Sequence, residues 1–178
     1  GKALGSITDN SSLLKKTYVS KFMFPLAKIT SSLVDCLFSL GAFLIVIIFT
    51  RSPFYWTMLL FPFIFLQAYI FACGLGFFLA QLHVFFRDTR YIWNAVTTAW
   101  MYCSAIFYPI DMLPDWLKLL VNYFNPLYVY IKQFRCIAHQ GVMPDLTTIG
   151  LGFLYAFFFF GLGVLCFKKN QDKFILYI

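Results

Sequence analysis

Carboxylates, imidazoles and thiols are the side chains with which this chain could do chemistry, and few of them are spaced for it. All 7 acidic residues are Asp. Asp111 and Asp115 lie four apart and could share a helical face, the arrangement an acid–base pair would need, but a charged rim on an outer loop accounts for them more simply. His83, His139 and scattered Asp residues give a metal little to bind. The 5 cysteines, Cys36, Cys73, Cys103, Cys136 and Cys166, sit mostly inside apolar runs. Their odd total and the lack of a Cys-x-x-Cys spacing point to thiols packing between helices, not to a disulfide framework or a zinc site. Phosphate-loop, Gly-x-Ser-x-Gly and His-Glu-x-x-His patterns are absent. No catalytic residue and no metal are expected, and energy for any work must come from another chain.

Asp35 is the exception in placement. Lys28, Ser32, Asp35 and Ser39 follow at spacings of four, three and four, which puts them on one helical face inside an apolar run. An acid there is costly in lipid, so the face should meet protein or water. It reads either as a pathway residue or as a packing contact, including a link to Lys28.

The elements that carry these residues are membrane helices. The 178 residues are 61% hydrophobic, 22% aromatic and only 12% charged, with a mean hydropathy of +0.78; a soluble domain carries about 25% charge. The net charge of +7 fits cytoplasmic loops and membrane lipids, not nucleic acid. The expected fold is all-α integral membrane: a polytopic helical bundle with four spans in this chain plus a re-entrant outer helical hairpin.

In order, residues 1–28 form a cytosolic region. Within it Asn10–Lys28 mixes lysines with apolar residues, opens on capping side chains and breaks at Pro25, so it reads as an interfacial helix, either a docking surface or a basic stretch on anionic lipid. Spans are expected at 29–50, 54–82, 92–108 and 146–167, the first long enough for a core of about 30 Å. The second contains Pro62 and should tilt or kink; Gly74, Gly76 and Ala80 could admit a close helix neighbour. The charged interruption Gln81–Tyr91 turns the chain between the second and third spans. Trp100, Tyr102 and Tyr108 supply rings with polar edges, which suit a water-lined passage or an interfacial belt. Residues 109–145 are too often interrupted for one span; two short helices fit, the second capped by Asn125, opened by Pro126 and ended near Gly141. A re-entrant hairpin of this kind lines a cavity mouth. Residues 168–178 form a cytosolic tail.

Four crossings place Lys2, Lys15, Lys16, Lys21, Lys28, Arg87, Arg90, Lys168, Lys169 and Lys173 on one side, and Arg51, Lys118, Lys132 and Arg135 on the other. The first side is cytoplasmic by the positive-inside rule.

Asn10 with Leu13-Leu14-Lys15-Lys16, Phe24-Pro25, Phe85-Phe86-Arg87-Asp88 after Gly74-Leu-Gly, Ser104, Tyr108-Pro109, Asn125-Pro126-Leu127 and Phe134-Arg135 before Gly141 resemble, in order and spacing, the permeases of type-2 ABC exporters for O-antigen, capsule or teichoic acid. The resemblance implies a six-helix, multi-pass permease of the bacterial plasma (inner) membrane that homodimerises, binds a separate ABC ATPase and extrudes a lipid-linked glycan. ATP and Mg would belong to that partner, with no cofactor in this chain and no enzyme activity of its own. Chemistry then falls on Asn10, Leu13, Lys15, Lys16, Arg87 and Asp88 as ATPase-coupling residues, on Asp35, Trp100, Tyr102 and Tyr108 as the substrate path, and on Pro109, Asn125, Pro126 and Arg135 as the outer gate. For Arg87-Asp88 the other reading is a cap on the next helix. Rival functions are a type-2 permease for a drug or small lipid and a membrane-embedded glycolipid transferase. The chain opens on Gly1, and the upstream helix and first two spans implied by the resemblance are absent, so a fragment of a six-span permease is expected.

Overall fold

The computed structural model describes residues 1–10, 20–50 and 55–174. Among these residues a short 3-10 turn at Leu4–Ser6 precedes six α-helices: α1 (Met23–Phe49), α2 (Phe61–Phe85), α3 (Thr89–Cys103), α4 (Asp115–Phe124), α5 (Pro126–Arg135) and α6 (Leu146–Asn170). No strand occurs among the described residues. Among the described residues three helical stretches, Met23–Phe49, Trp56–Phe85 and Leu146–Lys173, are long and apolar enough to cross a membrane.

Two prolines act differently from the sequence expectation. Pro25 does not break a helix; it sits in the first turn of α1. Pro62 likewise opens α2, after a 3-10 lead at Trp56–Leu60, and no kink is needed to accommodate it. A first-turn N–H has no intrahelical partner, so proline there sacrifices no hydrogen bond. The third apolar stretch forms α3 from Thr89 to Cys103, 15 residues, or about 22 Å of helix. It stops where Ser104 N bonds Met101 O at 3.3 Å and Ala105 takes a left-handed φ of 48°.

α2 is the central helix. It buries residues along its whole length, whereas α1 buries Pro25, Ile29 and Ile47 and leaves Phe38, Ile48 and Phe49 more than 70% exposed. Such faces suit lipid. Against α2 lies α6, at a crossing so close that Gly74 and Gly163 meet backbone to backbone. A side chain at either would strike the other helix, and small residues at that point let the two axes approach. Phe71 and Phe159 meet edge to face at 5.1 Å above it, and Phe77 and Phe167 pack at 5.6 Å below.

The bundle has two distinct ends. At one, Phe22 packs on Phe77 and Phe167, and Lys21 Nζ donates to Gln171 O at 2.6 Å. Asn170 Nδ2 donates to Gln81 Oε1 at 3.3 Å. Phe174 folds back onto Phe85 and Phe167 and is 1% exposed, so this part of the tail is core. Residues 1–10 also pack there: Ala3 and Ile7 join Ile29, Phe77 and Ala80. At the other end the hairpin of α4 and α5 meets the start of α2, with Phe61 and Phe134 stacked at 5.0 Å and Thr57 Oγ1 donating to Ile137 O at 3.1 Å.

Candidate outer gate and coupling turn

Asn125 organises the hairpin end. Its Oδ1 accepts from Leu127 N at 3.1 Å and Tyr128 N at 3.4 Å, capping α5, with Pro126 at the first helical position. The same oxygen accepts the Trp100 indole N–H at 2.8 Å. Asn125 Nδ2 donates to Ser104 Oγ at 3.0 Å, and Ser104 Oγ–H donates to Trp100 O at 2.7 Å. One amide thus joins the end of α3 to the joint between α4 and α5.

Arg135, at the other end of α5, donates from Nη2 to the carbonyls of Ala105 and Ile106, each at 3.0 Å. These carbonyls belong to the turn that follows α3, and a guanidinium satisfies both at once. Tyr108 O–H donates to Tyr102 O at 3.0 Å across the same turn. The structure therefore brings residues read from sequence as path (Trp100, Tyr102, Tyr108) and as gate (Asn125, Pro126, Arg135) into one locus around residues 100–108. Pro109, Tyr128, Lys132, Arg135, Asp145 and Thr148 line a cavity of about 410 Å³ beside it. Burial raises the Cys136 thiol pKa, with Lys132 pulling the other way, so this thiol on the cavity wall stays protonated at neutral pH.

Asp35 lies apart from this locus. Its carboxylate pairs with Lys2 of the N-terminal segment, and both side chains are about 60% exposed. The link to Lys28 anticipated from spacing is replaced by a partner 33 residues away.

The turn read from sequence as an ATPase-coupling surface joins α2 to α3. Arg87 and Asp88 are exposed, and Asp88 stands at the N-cap of α3 without a side-chain capping bond. Its backbone carbonyl takes the amides of Tyr91 at 3.0 Å and Ile92 at 3.2 Å instead. Asn10 Nδ2 donates to Ser6 O at 2.8 Å, while Leu13, Lys15 and Lys16 lie outside the described residues.

Sequence reading passed over Gln67, Tyr130, Gln133 and Gly152. Tyr130 O–H donates to Gly152 O at 2.9 Å and Gln133 Nε2 to Thr148 O at 3.1 Å, both fastening α5 to α6. The signal available was modest: Gln67 is an amide in an apolar run, and Tyr130 and Gln133 are three apart on one face.

Comparison with known proteins gives the family. The chain is similar to the O-antigen export system permease protein RfbA of Myxococcus xanthus, 25% identical over 151 residues, covering 84% of this chain and 58% of the relative. Two O-antigen export system permease proteins RfbA of Klebsiella pneumoniae are 25% and 23% identical, each covering 97% of this chain and 66% of the relative. The chain thus spans roughly three-fifths to two-thirds of the curated relatives it matches. The profile of the ABC-2 type transporters matches residues 6–139, from the N-terminal segment through α5, and with its apolar spanning helices the chain belongs to that family of multi-pass membrane transport proteins.

Proposed function

We propose that the chain is the membrane-spanning permease part of a bacterial inner-membrane ABC exporter that moves a lipid-linked cell-surface polysaccharide out of the cytoplasm, as a homodimer driven by a separate ABC ATPase. The observation that carries it is the alignment with O-antigen export permeases over 97% of the chain, on a fold whose two ends differ in kind. One end presents the exposed Arg87-Asp88 turn; the other presents a hairpin folded back over a cavity.

α2 and α6, at 25 residues each, are about 37 Å long and run between those ends. Their glycine-mediated contact makes them one stiff unit, so a push on the inner turn reaches the hairpin as rigid-body motion. The basic residues Lys21, Arg87, Lys168 and Lys169 gather at the end taken as cytoplasmic. Lys15, Lys16, Arg87 and Asp88 contact the ATPase, the Trp100–Asn125 locus borders the exit, and the permease performs no bond chemistry.

The test is co-purification of the full-length protein with the ATPase encoded beside it. Wild type should retain the ATPase in detergent, and Lys15→Glu/Lys16→Glu or Arg87→Glu/Asp88→Lys should lose it while eluting as a folded protein. Surface polysaccharide, read by immunoblot of intact cells, should fall in parallel. A wild-type permease that binds no ATPase would falsify the reading.

A further inference from the structure

The two helices of the hairpin are fastened unequally. α5 is held at its start by Asn125 to Trp100 and Ser104, in its middle by Tyr130 to Gly152 and Gln133 to Thr148, and at its end by Arg135. Pro126, Tyr128, Val129, Tyr130 and Gln133 are buried. α4 buries Val121 alone and leaves Trp116, Leu119, Tyr123 and Phe124 more than half exposed. Its bond to a span is the Tyr155 hydroxyl on the Tyr123 carbonyl.

Beneath α5 lies a polar junction that packing alone does not require. Gln67 of α2 is 0% exposed and Gln133 of α5 is 1% exposed. Both amide atoms of Gln67, and Oε1 of Gln133, have donor or acceptor capacity that no neighbouring group takes up. A methyl group placed on Gly152 of α6 would lie 2.5 Å from Gln67 Oε1 and 2.6 Å from Gln133 Nε2, so both amides converge on that one backbone position. Leucines would fill the same space without burying polar atoms, and buried amides inside a membrane are costly unless they are hydrogen-bonded. Gln133 Nε2 meets this need on Thr148 O, whereas Gln67 bonds neither Gln133 nor any other described group.

We infer that Tyr130 and Gln133, bonded to the Gly152 and Thr148 carbonyls, anchor α5 to α6 as the stationary jaw of the outer hairpin, so that opening is a movement of α4 against it. Pulling α5 away would break both bonds at a depth where water cannot replace them. Moving α4 gives up the Tyr155 bond and a surface already largely open. Tyr130 and Gln133 are positioning residues: they act through the seat of α5 and need not touch cargo. The inference rests on the export reading, because a hairpin that passes nothing has no reason to open.

Distances between spin labels test it in the full-length protein, reconstituted with its ATPase in nanodiscs after replacing the native cysteines. One label pair joins Leu119 of α4 to Leu146 at the outer start of α6, and a second joins Lys132 of α5 to Leu146. Between the nucleotide-free and ATP-trapped states the first distance should shift and the second should not. Tyr130→Phe/Gln133→Leu should make the second distance shift or broaden while the ATPase stays bound. Gln133→Asn, which keeps an amide but withdraws it by one methylene, should give a smaller broadening and serves if the double variant fails to fold. A Lys132–Leu146 shift in the wild type, no shift of either pair with ATPase bound, or a folded variant that leaves Lys132 in place would each overturn the stationary jaw. Absence of a bound ATPase would overturn the export reading as well, and is read separately from the same preparation.

Discussion

The indole N–H of Trp100 and the side-chain oxygen of Asn125 meet at 2.8 Å, and that oxygen is also the cap of α5. The bond makes the end of α3 and the start of α5 interdependent. Asn125→Ala should lose the cap, about 1 kcal/mol, and the indole bond, about 1 kcal/mol. Trp100→Phe should lose the second alone. Asn125→Asp keeps the acceptor and gives up the donor to Ser104. Thermal denaturation of the purified permease should therefore rank Asn125→Ala lowest, with the other two between it and wild type. An aspartate variant no better than alanine would show that the acceptor is not what holds the joint.

The α2–α6 crossing makes a second prediction. Gly163→Ala places a methyl group against the Gly74 backbone, which cannot rotate away as a side chain could. Overpacking of that kind costs about 1–3 kcal/mol. Gly161→Ala, two residues earlier, has nothing within 4 Å of the new methyl and should be neutral or gain up to about 1 kcal/mol of helix propensity. Denaturation midpoints of the two variants, prepared in the same detergent, should move in opposite directions or differ clearly. Equal midpoints would mean that the helices separate at no cost and that α2 and α6 do not act as one unit.

What could be read in advance follows the range of the interaction. Asn125-Pro126 announces a cap because donor, acceptor and proline lie within four residues, and Gly141 announces a helix end because it alone tolerates the φ of 66° found there. The charged turn at Arg87-Asp88 was legible for the same local reason. Pro25 and Pro62 were misread because a proline's effect depends on where its helix begins, which neighbouring residues did not fix. Asp35 had an obvious local suitor in Lys28 on its own face, yet Lys2 lies closer once the N-terminal segment packs on α1 and α2. The Trp100–Asn125 and Tyr130–Gly152 bonds link residues far apart in the chain, and they exist only after helices of known register have been packed. Periodicity states which face is polar, and does not state what that face meets.

The Lys2–Asp35 pair supplies a prediction about charge inside a span. Asp35 is 12 positions beyond Met23 in α1, about 18 Å along the helix, where an unpaired charge is expensive. Lys2→Asp and Asp35→Lys should each lower the yield of monodisperse permease, and the combined exchange Lys2→Asp/Asp35→Lys should recover most of it. Fluorescence-detected gel filtration of the full-length protein measures this directly. Recovery of folding without recovery of the proposed polysaccharide export would assign the pair's orientation to cargo passage, whereas full recovery of both would assign it to helix packing. If the exchange restores nothing, the two residues do not act as a pair.

Ala105 carries the last prediction. Its φ of 48° is one that residues with a Cβ adopt at a cost of about 1–2 kcal/mol, and its side chain is fully buried. The strain is held in place by Arg135, whose Nη2 grips the carbonyls of Ala105 and Ile106. Ala105→Gly should relieve the strain and hold or raise stability by up to about 1 kcal/mol. Arg135→Met, which keeps the apolar stem and removes the grip, should lower it. The combination is the informative case: with glycine at 105 the turn no longer needs to be forced, so Arg135→Met should cost less than it does in the wild-type background. Denaturation midpoints for the four members of that cycle measure the coupling. Strict additivity would mean that Arg135 satisfies the two carbonyls without maintaining the turn.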